Sequence, residues 1–372
     1  MISRLLVLSL SFAAVASSRA GEPTALEQYM LEMINRARAD GNAEAARHSL
    51  SGLQEGTPSI NGEPWTIQAV AQPLAWSDTL ASAARTQSQA LFNAAFSSGD
   101  PHSFGGTTAE QRIATAGFVT CAACPRPSTT SGFTPGIETF SFASQAGTMT
   151  ATQLRTAVTN MHRLAFMDSN TPGRLNRLAL MYPWFREMGP GLASGQVGGG
   201  DRAYFMITFN TANPGTQSFL TGVVYTDNVT VDQFYTPGEG FGSLTVQAWQ
   251  NGVKAAETNT WASGGYRLPV SNGTFDVRLV NSQGHVSSLG TAVVNGQNVK
   301  LDSRNPAFVP PPVEVVLNIS RPTPGSVTLT WNDPASQLAA ADHLSGPWAV
   351  IATTSPATVN IQPGRRYFRC QR

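Results

Sequence analysis

Three blocks decide how this chain is read: P-H-S-F-G-G-T-T-A-E-Q-R-I-A-T-A-G-F (residues 101–118), G-I-E-T-F (136–140) and P-G-R-L-N-R-L-A-L-M-Y-P-W-F-R-E-M-G-P-G (172–191). In the first, a short helix follows Thr108 and stops at Gly117. Upstream, Thr24 and Glu27 have the spacing of a capping box. Leu26, Tyr29, Met30, Met33, Ile34 and Ala37 then recur at helical spacing, and Gly41 is read as the stop. A second helix is expected over Asp78 to Asn93, and a further one over Thr152 to Met167. The run Ala203 to Phe209 reads as a buried strand. Residues 22–217 are therefore α/β in character.

Taken in order, the blocks resemble the CAP superfamily (cysteine-rich secretory, antigen 5 and pathogenesis-related proteins) in its bacterial SCP-like form. The matching positions are Asn35 to Arg38, Leu74 to Leu80 around Trp76, His102 to Gly117, Gly136-Ile137-Glu138, Asn176-Arg177, and Phe185 to Gly189. The resemblance covers about residues 24–212. It implies an α-β-α sandwich with a central cleft, lined here by His102, Glu138, Asn176 and Arg177. In the family, two histidines and acidic residues hold a divalent metal there. His102 matches the first histidine and Glu138 the glutamate, but Asn176 stands where the second histidine belongs.

That departure bears on chemistry. A zinc site needs three or four nitrogen, sulfur or charged-oxygen ligands, and His102 with Glu138 supplies two. An asparagine amide is a poor ligand and no general base. His162 shares a helix row with Val158 and Phe166, which reads as a structural histidine, with reach into the cleft as the alternative. Ser103 follows His102, yet adjacency makes no catalytic pair. No G-x-S-x-G elbow is present, and Glu138 has no second carboxylate to work with. Trp76 and Trp184 are expected in the core. Glu187 is expected to pair with Arg177 or cap a helix.

Beyond Pro214 the pattern changes to short strands: Leu220–Tyr225, Leu244–Gln250, Gly265–Pro269, Thr274–Val280 and Asn298–Leu301. Asn251-Gly252 and Asn272-Gly273 read as hairpin turns. Asn228, Thr230, Asp232 and Glu239 fall at positions 1, 3, 5 and 12 of a worn calcium loop, with Gln233 where glycine belongs. A plain hairpin loop is the alternative. Residues 218–303 resemble carboxypeptidase-regulatory-like, transthyretin-like β-sandwiches. A Pro-rich linker follows (304–312), then a small fibronectin-type β-module (313–372) whose Trp331 and Trp348 are expected to be core. The fold class is thus an α/β N-terminal domain, 21–217, with two C-terminal all-β sandwich modules.

Residues 1–20 read as a secretory signal peptide, with a short membrane anchor as the alternative: Arg4, an apolar run from Leu5 to Ala16, and small residues at Ser18 and Ala20. Placement outside the cytoplasm, extracellular or periplasmic, follows as an expectation. Cys121 and Cys124 then suit a loop-stapling disulfide, with free thiols or a redox or metal role as alternatives, and Cys370 has no evident partner. Of the 372 residues, 24 are Lys or Arg and 23 Asp or Glu, a net charge of +1 that gives no basic face for nucleic acid. No later stretch is long enough to span a membrane. The leading function is non-catalytic binding of an apolar or glycan ligand in the cleft, at or outside the cell envelope. A hydrolase using His102 and Glu138 is one alternative, and adhesion through the β-modules another. No cofactor is required, and weak divalent metal in the cleft or the 228–239 loop completes the expectation.

Overall fold

The computed structural model describes residues 21–57, 59–60, 63–64, 66–119, 136–170, 172–210, 217–310 and 315–371. Residues 1–20, read above as a signal peptide, and Cys121 and Cys124 lie outside the described residues. The chain forms two compact units, the first ending at Phe308 and the second starting at Val309.

The first unit opens with α1 (Ala25–Ala39), whose capping box closes in both directions through Thr24 and Glu27. Asp40 ends it and at once caps α2 (Gly41–Arg47) through Ala43 N. The expected stop at Gly41 is therefore the first residue of a new helix. A short pair, β1 (Ser59–Ile60) and β2 (Glu63–Pro64), precedes β3 (Ala75–Trp76) and α3 (Asp78–Asn93). Then come α4 (Ala109–Thr115), β4 (Gly136–Ala146), α5 (Ala151–Met167), α6 (Leu175–Met181), β5 (Glu187–Val197) and β6 (Gly200–Asn210).

These strands form one sheet in the order β3-β5-β6-β4, with β4 at an edge. The period of two divides its side chains between two helical layers. Ala203 joins the core built by α1, α5 and α6, whereas Tyr204 joins α3 through Ala84 and Leu91. The result is an α-β-α sandwich. Trp76, Ile34 and Leu180 are fully buried in it, each large apolar side chain contributing roughly 1.5–3 kcal/mol. Trp184, expected in the core, is exposed instead, on the turn between α6 and β5. The G-P-G of the third block serves packing: a Cβ on Gly189 would sit 1.9 Å from Ala81 N, and one on Gly191 2.2 Å from Arg85 N. Only glycine lets α3 lie this close to β5.

Two sheets follow. One joins β7 (Ser218–Tyr225), β10 (Gly265–Val270), β13 (Val299–Lys300) and β14 (Ser303–Arg304); the other joins β8 (Thr245–Gln250), β9 (Val253–Asn259), β11 (Gly273–Val280) and β12 (Val286–Val294). They enclose a core of Leu220, Val246, Tyr266 and Val277. Asn251 and Gly252 make the β8–β9 hairpin, both at positive φ. Asn272-Gly273 makes no hairpin, because β10 and β11 belong to different sheets and the turn carries the chain across the sandwich. This sandwich packs on the α-β-α layers as one unit. Lys300 pairs with Glu32 at 2.8 Å, Arg267 with Glu187 at 2.8 Å, and Asn298 donates to the carbonyls of Pro73 and Arg186. Glu187 thus finds its cation in β10, where the sequence suggested Arg177.

The second unit is a small sandwich of β15 (Leu317–Ser320), β16 (Ser326–Trp331) and β19 (Ala357–Asn360) against β17 (Gln337–Ala341), β18 (Ala349–Ala352) and β20 (Tyr367–Gln371). Trp331 is buried in its core; Trp348 is only half-buried, with the Arg369 guanidinium 4.4 Å from its ring centroid. No described helix is long and apolar enough to cross a membrane.

Candidate functional site

Strand β4 carries the chemistry the sequence pointed to. Its residues 138, 140 and 142 share one face by strand alternation. Glu138 is buried and meets Arg112 of α4 in a fork: Nε to Oε1 at 3.1 Å, Nη2 to Oε2 at 2.5 Å. The same guanidinium donates to the carbonyls of Thr107 (2.5 Å) and His102 (2.8 Å). A closed capping box of Thr108 and Gln111 fixes α4 and so aims Arg112. His102 Nδ1 lies 3.5 Å from Glu138 Oε2, with the imidazole partly exposed. The structure therefore brings His102 and Glu138 together, on the carboxylate that Arg112 holds.

A metal in this cleft does not fit these residues. Among the described residues no third His, Cys, Asp or Glu ligand joins His102 and Glu138. That corrects the metal reading of His102 and Glu138. Ser103 donates its hydroxyl to Asp100 at 2.7 Å, so it does not address His102.

Asn176 is on α6, beside the part of β4 beyond Glu138. It lines a cavity of about 350 Å³ with Phe140, Phe142, Leu164 and Asp168. Phe140 and Phe142 are two and four residues beyond Glu138, about 7 and 13 Å along the strand. Asn176 spends its backbone N–H and its amide on the Asp168 carboxylate, both at 2.8 Å. Asp168, left-handed at the end of α5, thereby caps α6. Arg177 is a correction. It is fully buried and donates to the carbonyls of Phe166, Met167, Leu53 and Glu55. It closes the C-terminus of α5 and offers nothing to a ligand. Arg38 of the first motif does the same for the carbonyls of Gln72, Leu180, Tyr182 and Phe185, and burial lowers its pKa to about 9.

The groove along β4 is aromatic. Phe140, Phe142 and Tyr204 stack pairwise with ring centroids 6.2–6.4 Å apart and planes 18–27° from parallel. Phe142 remains 45% exposed, and Leu164 of α5, which lines the same cavity, is 50% exposed. A second cavity of about 330 Å³ continues past Phe142 toward Met149 and Met161. A third, about 420 Å³, lies between α3 and α4 and is lined by Phe104, Thr107 and Arg112.

In the 228–239 loop the acidic candidate ligands face the loop's own backbone. Glu239 accepts from the backbone N–H groups of Val229, Thr230 and Thr236, and Asp232 accepts from Phe234 N. Thr230 takes a hydrogen bond from Arg155. Their oxygens serve the loop's own N–H donors, and no group of three acidic ligands forms there among the described residues. Asn228, Thr230, Asp232 and Glu239 build a turn around a buried carboxylate. His162 points away from the cleft: its Nδ1 is 3.7 Å from Glu44 Oε1. Glu44 and His48 carry no motif, and they sit on a helix that the sequence did not reveal.

No family model matches the sequence, and no curated protein matches it. Among solved structures the chain is similar to BmVAL-1, at 14% identity over 51% of this chain and 79% of that one, with a TM-score of 0.28. It is also similar to a DUF3823 family protein from Parabacteroides merdae, at 14% identity over 40% and 80%, TM-score 0.17. The Bacillus anthracis TIE protein matches at 10% identity over 50% and 36%, TM-score 0.19.

Proposed function

We propose that the chain is an exported, CAP-like binding protein acting at or outside the cell envelope, and that its ligand lies along β4. The observation that carries this reading is the stacked floor of Phe140, Phe142 and Tyr204, left open at Phe142 between two cavities. Tyr204 is buried and Phe140 partly so, which leaves the Phe142 ring exposed on a rigid aromatic base with a cavity on either side. Cavities of this size fit the lower end of small-ligand sites. Arg163, Asn170 and Asn176 border the aromatic floor. An apolar ring face below and hydrogen-bonding groups at the rim suit a sugar ring better than an alkyl chain. Saccharide of the cell envelope is therefore the favoured ligand class, bound without catalysis.

The test titrates the protein with N-acetylglucosamine oligomers by calorimetry and, separately, with a fatty acid. Phe142→Ala removes the open ring while leaving the buried core alone. Saccharide binding weakened about tenfold or more by this change, the scale of one lost aromatic contact, supports the reading. Fatty-acid binding with the same sensitivity makes the ligand apolar. Binding unaffected by Phe142→Ala overturns the groove.

A further inference from the structure

A second cluster lies away from the β4 groove, where α2 meets α5. Glu44 and His48 stand four residues apart and so share one face of α2 and its C-terminal end. His162 comes to them from α5. One ligand atom from each of the three lies within 4.8 Å of the others. Glu44 Oε1 is 3.1 Å from His48 Nε2 and 3.7 Å from His162 Nδ1. Zinc bonds near 2.0–2.1 Å place tetrahedral donors about 3.3 Å apart, so Glu44 already stands near ligand spacing from both histidines.

His162 is the member whose environment demands a reason. It is 1% exposed, and neither ring nitrogen has a hydrogen-bond partner among the described residues. Buried polar atoms left this way are rare in folded proteins, and a bound ion is one physical cause of them. We propose that Glu44, His48 and His162 bind a divalent transition-metal ion of the zinc class, with solvent as the fourth ligand. The donor set of two imidazoles and one carboxylate is one that zinc accepts.

The protonation states agree with this. Burial lowers the His162 pKa to about 3, which keeps it in the neutral, ligating form. Burial pushes the Glu44 carboxyl up, but hydrogen bonds from His48 and Arg36 outweigh it and hold the carboxyl below its ordinary range. The cations facing the cluster are Arg36 of α1 and Arg47 of α2. Arg36 grips both oxygens of Glu44, at 2.9 and 2.7 Å, and Arg47 reaches Oε2 at 3.2 Å. A carboxylate has about four lone-pair sites, so an arginine on its outer side leaves room for an ion on its inner side. Coordinating carboxylates are commonly hydrogen-bonded in this way. Arg47 is half-exposed and free to withdraw. This differs from His102 and Glu138, where a third ligand is missing.

The experiment uses the full chain stripped with chelator. Calorimetry with zinc chloride is run on the parent, His162→Phe, His48→Gln and His102→Ala. His48→Gln keeps a hydrogen-bonding side chain at the cluster's edge and guards against a folding failure in His162→Phe. The expected result is one zinc per chain in the parent, weakened by about 100-fold or more in both cluster variants and unchanged in His102→Ala. Cobalt substituted for zinc should show ligand-field bands without the thiolate charge-transfer band that a cysteine site gives. No zinc binding in the parent, cluster variants that bind as tightly as the parent, dependence on His102, or a thiolate band would each overturn the proposal.

Discussion

Replacing Glu138 by glutamine tests what that carboxylate is for. Its side chain is fully buried, and that of Arg112 is 6% exposed. Glutamine keeps the shape and one acceptor but removes the charge, leaving a nearly buried guanidinium without its anion. Breaking such a pair costs about 3–5 kcal/mol. Arg112 retains the Thr107 and His102 carbonyls, which favours the lower end, about 3 kcal/mol. In a unit of this size each kcal/mol moves the midpoint by roughly 2–4 °C, so a fall of about 6–12 °C is expected. Scanning calorimetry is the assay. Arg112→Met should cost a similar amount, and Glu138→Gln with Arg112→Met together should cost much less than the sum of the two. If Glu138→Gln melts within about 2 °C of the parent, the pair is not desolvated. The carboxylate would then be available for proton transfer or metal binding, and the structural role assigned to it would fail.

Other outcomes follow from the same geometry. Gly191→Ala drives a methyl group into the backbone of α3 and should destabilise the first unit by about 3 kcal/mol or more, read by urea titration; a neutral effect would mean that α3 sits further out. Glu239→Gln weakens three backbone hydrogen bonds and should cost about 2 kcal/mol, while calcium at about 1 mM shifts the parent's melting temperature little; a rise of several degrees would restore the calcium loop. Acid should destabilise the metal-free fold through His162. Its folded pKa is depressed to about 3, so its contribution is complete above the unfolded value near 6.5 and is lost as pH falls toward 3. His162→Phe should flatten the stability profile between pH 6.5 and 4; an unchanged slope would mean that the imidazole is not desolvated.

Local signals were legible where a helix announces itself. Asp78–Asn93 was marked by its apolar spacing, and α1 by the Thr24–Glu27 box. Helix α2 escaped because Asp40 ends one helix and caps the next, so a glycine that reads as a stop is in fact a start. Strand β5 escaped because G-P-G-L-A-S-G-Q-V has one β-branched residue. Its extended form comes from pairing with β6 and from the space that Gly189 and Gly191 leave for α3, and neither is a local property. Asn272-Gly273 carries the same dipeptide as a true hairpin turn, but sheet membership is decided by distant partners.

The site shows a sharper division. Motif residues mark places where the fold has few choices, and much of that constraint is backbone satisfaction. Arg38 and Arg177 are buried cations with no carboxylate partner among the described residues; each gathers backbone carbonyls at the ends of α6 and α5. Sequence placed Arg177 beside a ligand because the motif runs beside a cleft, yet its fork is spent before any ligand arrives. Glu138 is held in the same way by Arg112. What remains free on β4 is Phe142, a residue that no motif marked. Equally, Glu44 and His162 are 118 positions apart in the chain, and only the packing of α2 on α5 makes them neighbours. In this protein the residues with chemistry left to offer are those whose hydrogen-bonding capacity or surface the fold does not consume. That criterion selects the aromatic groove and the orphaned imidazole over the cleft that the motifs pointed to.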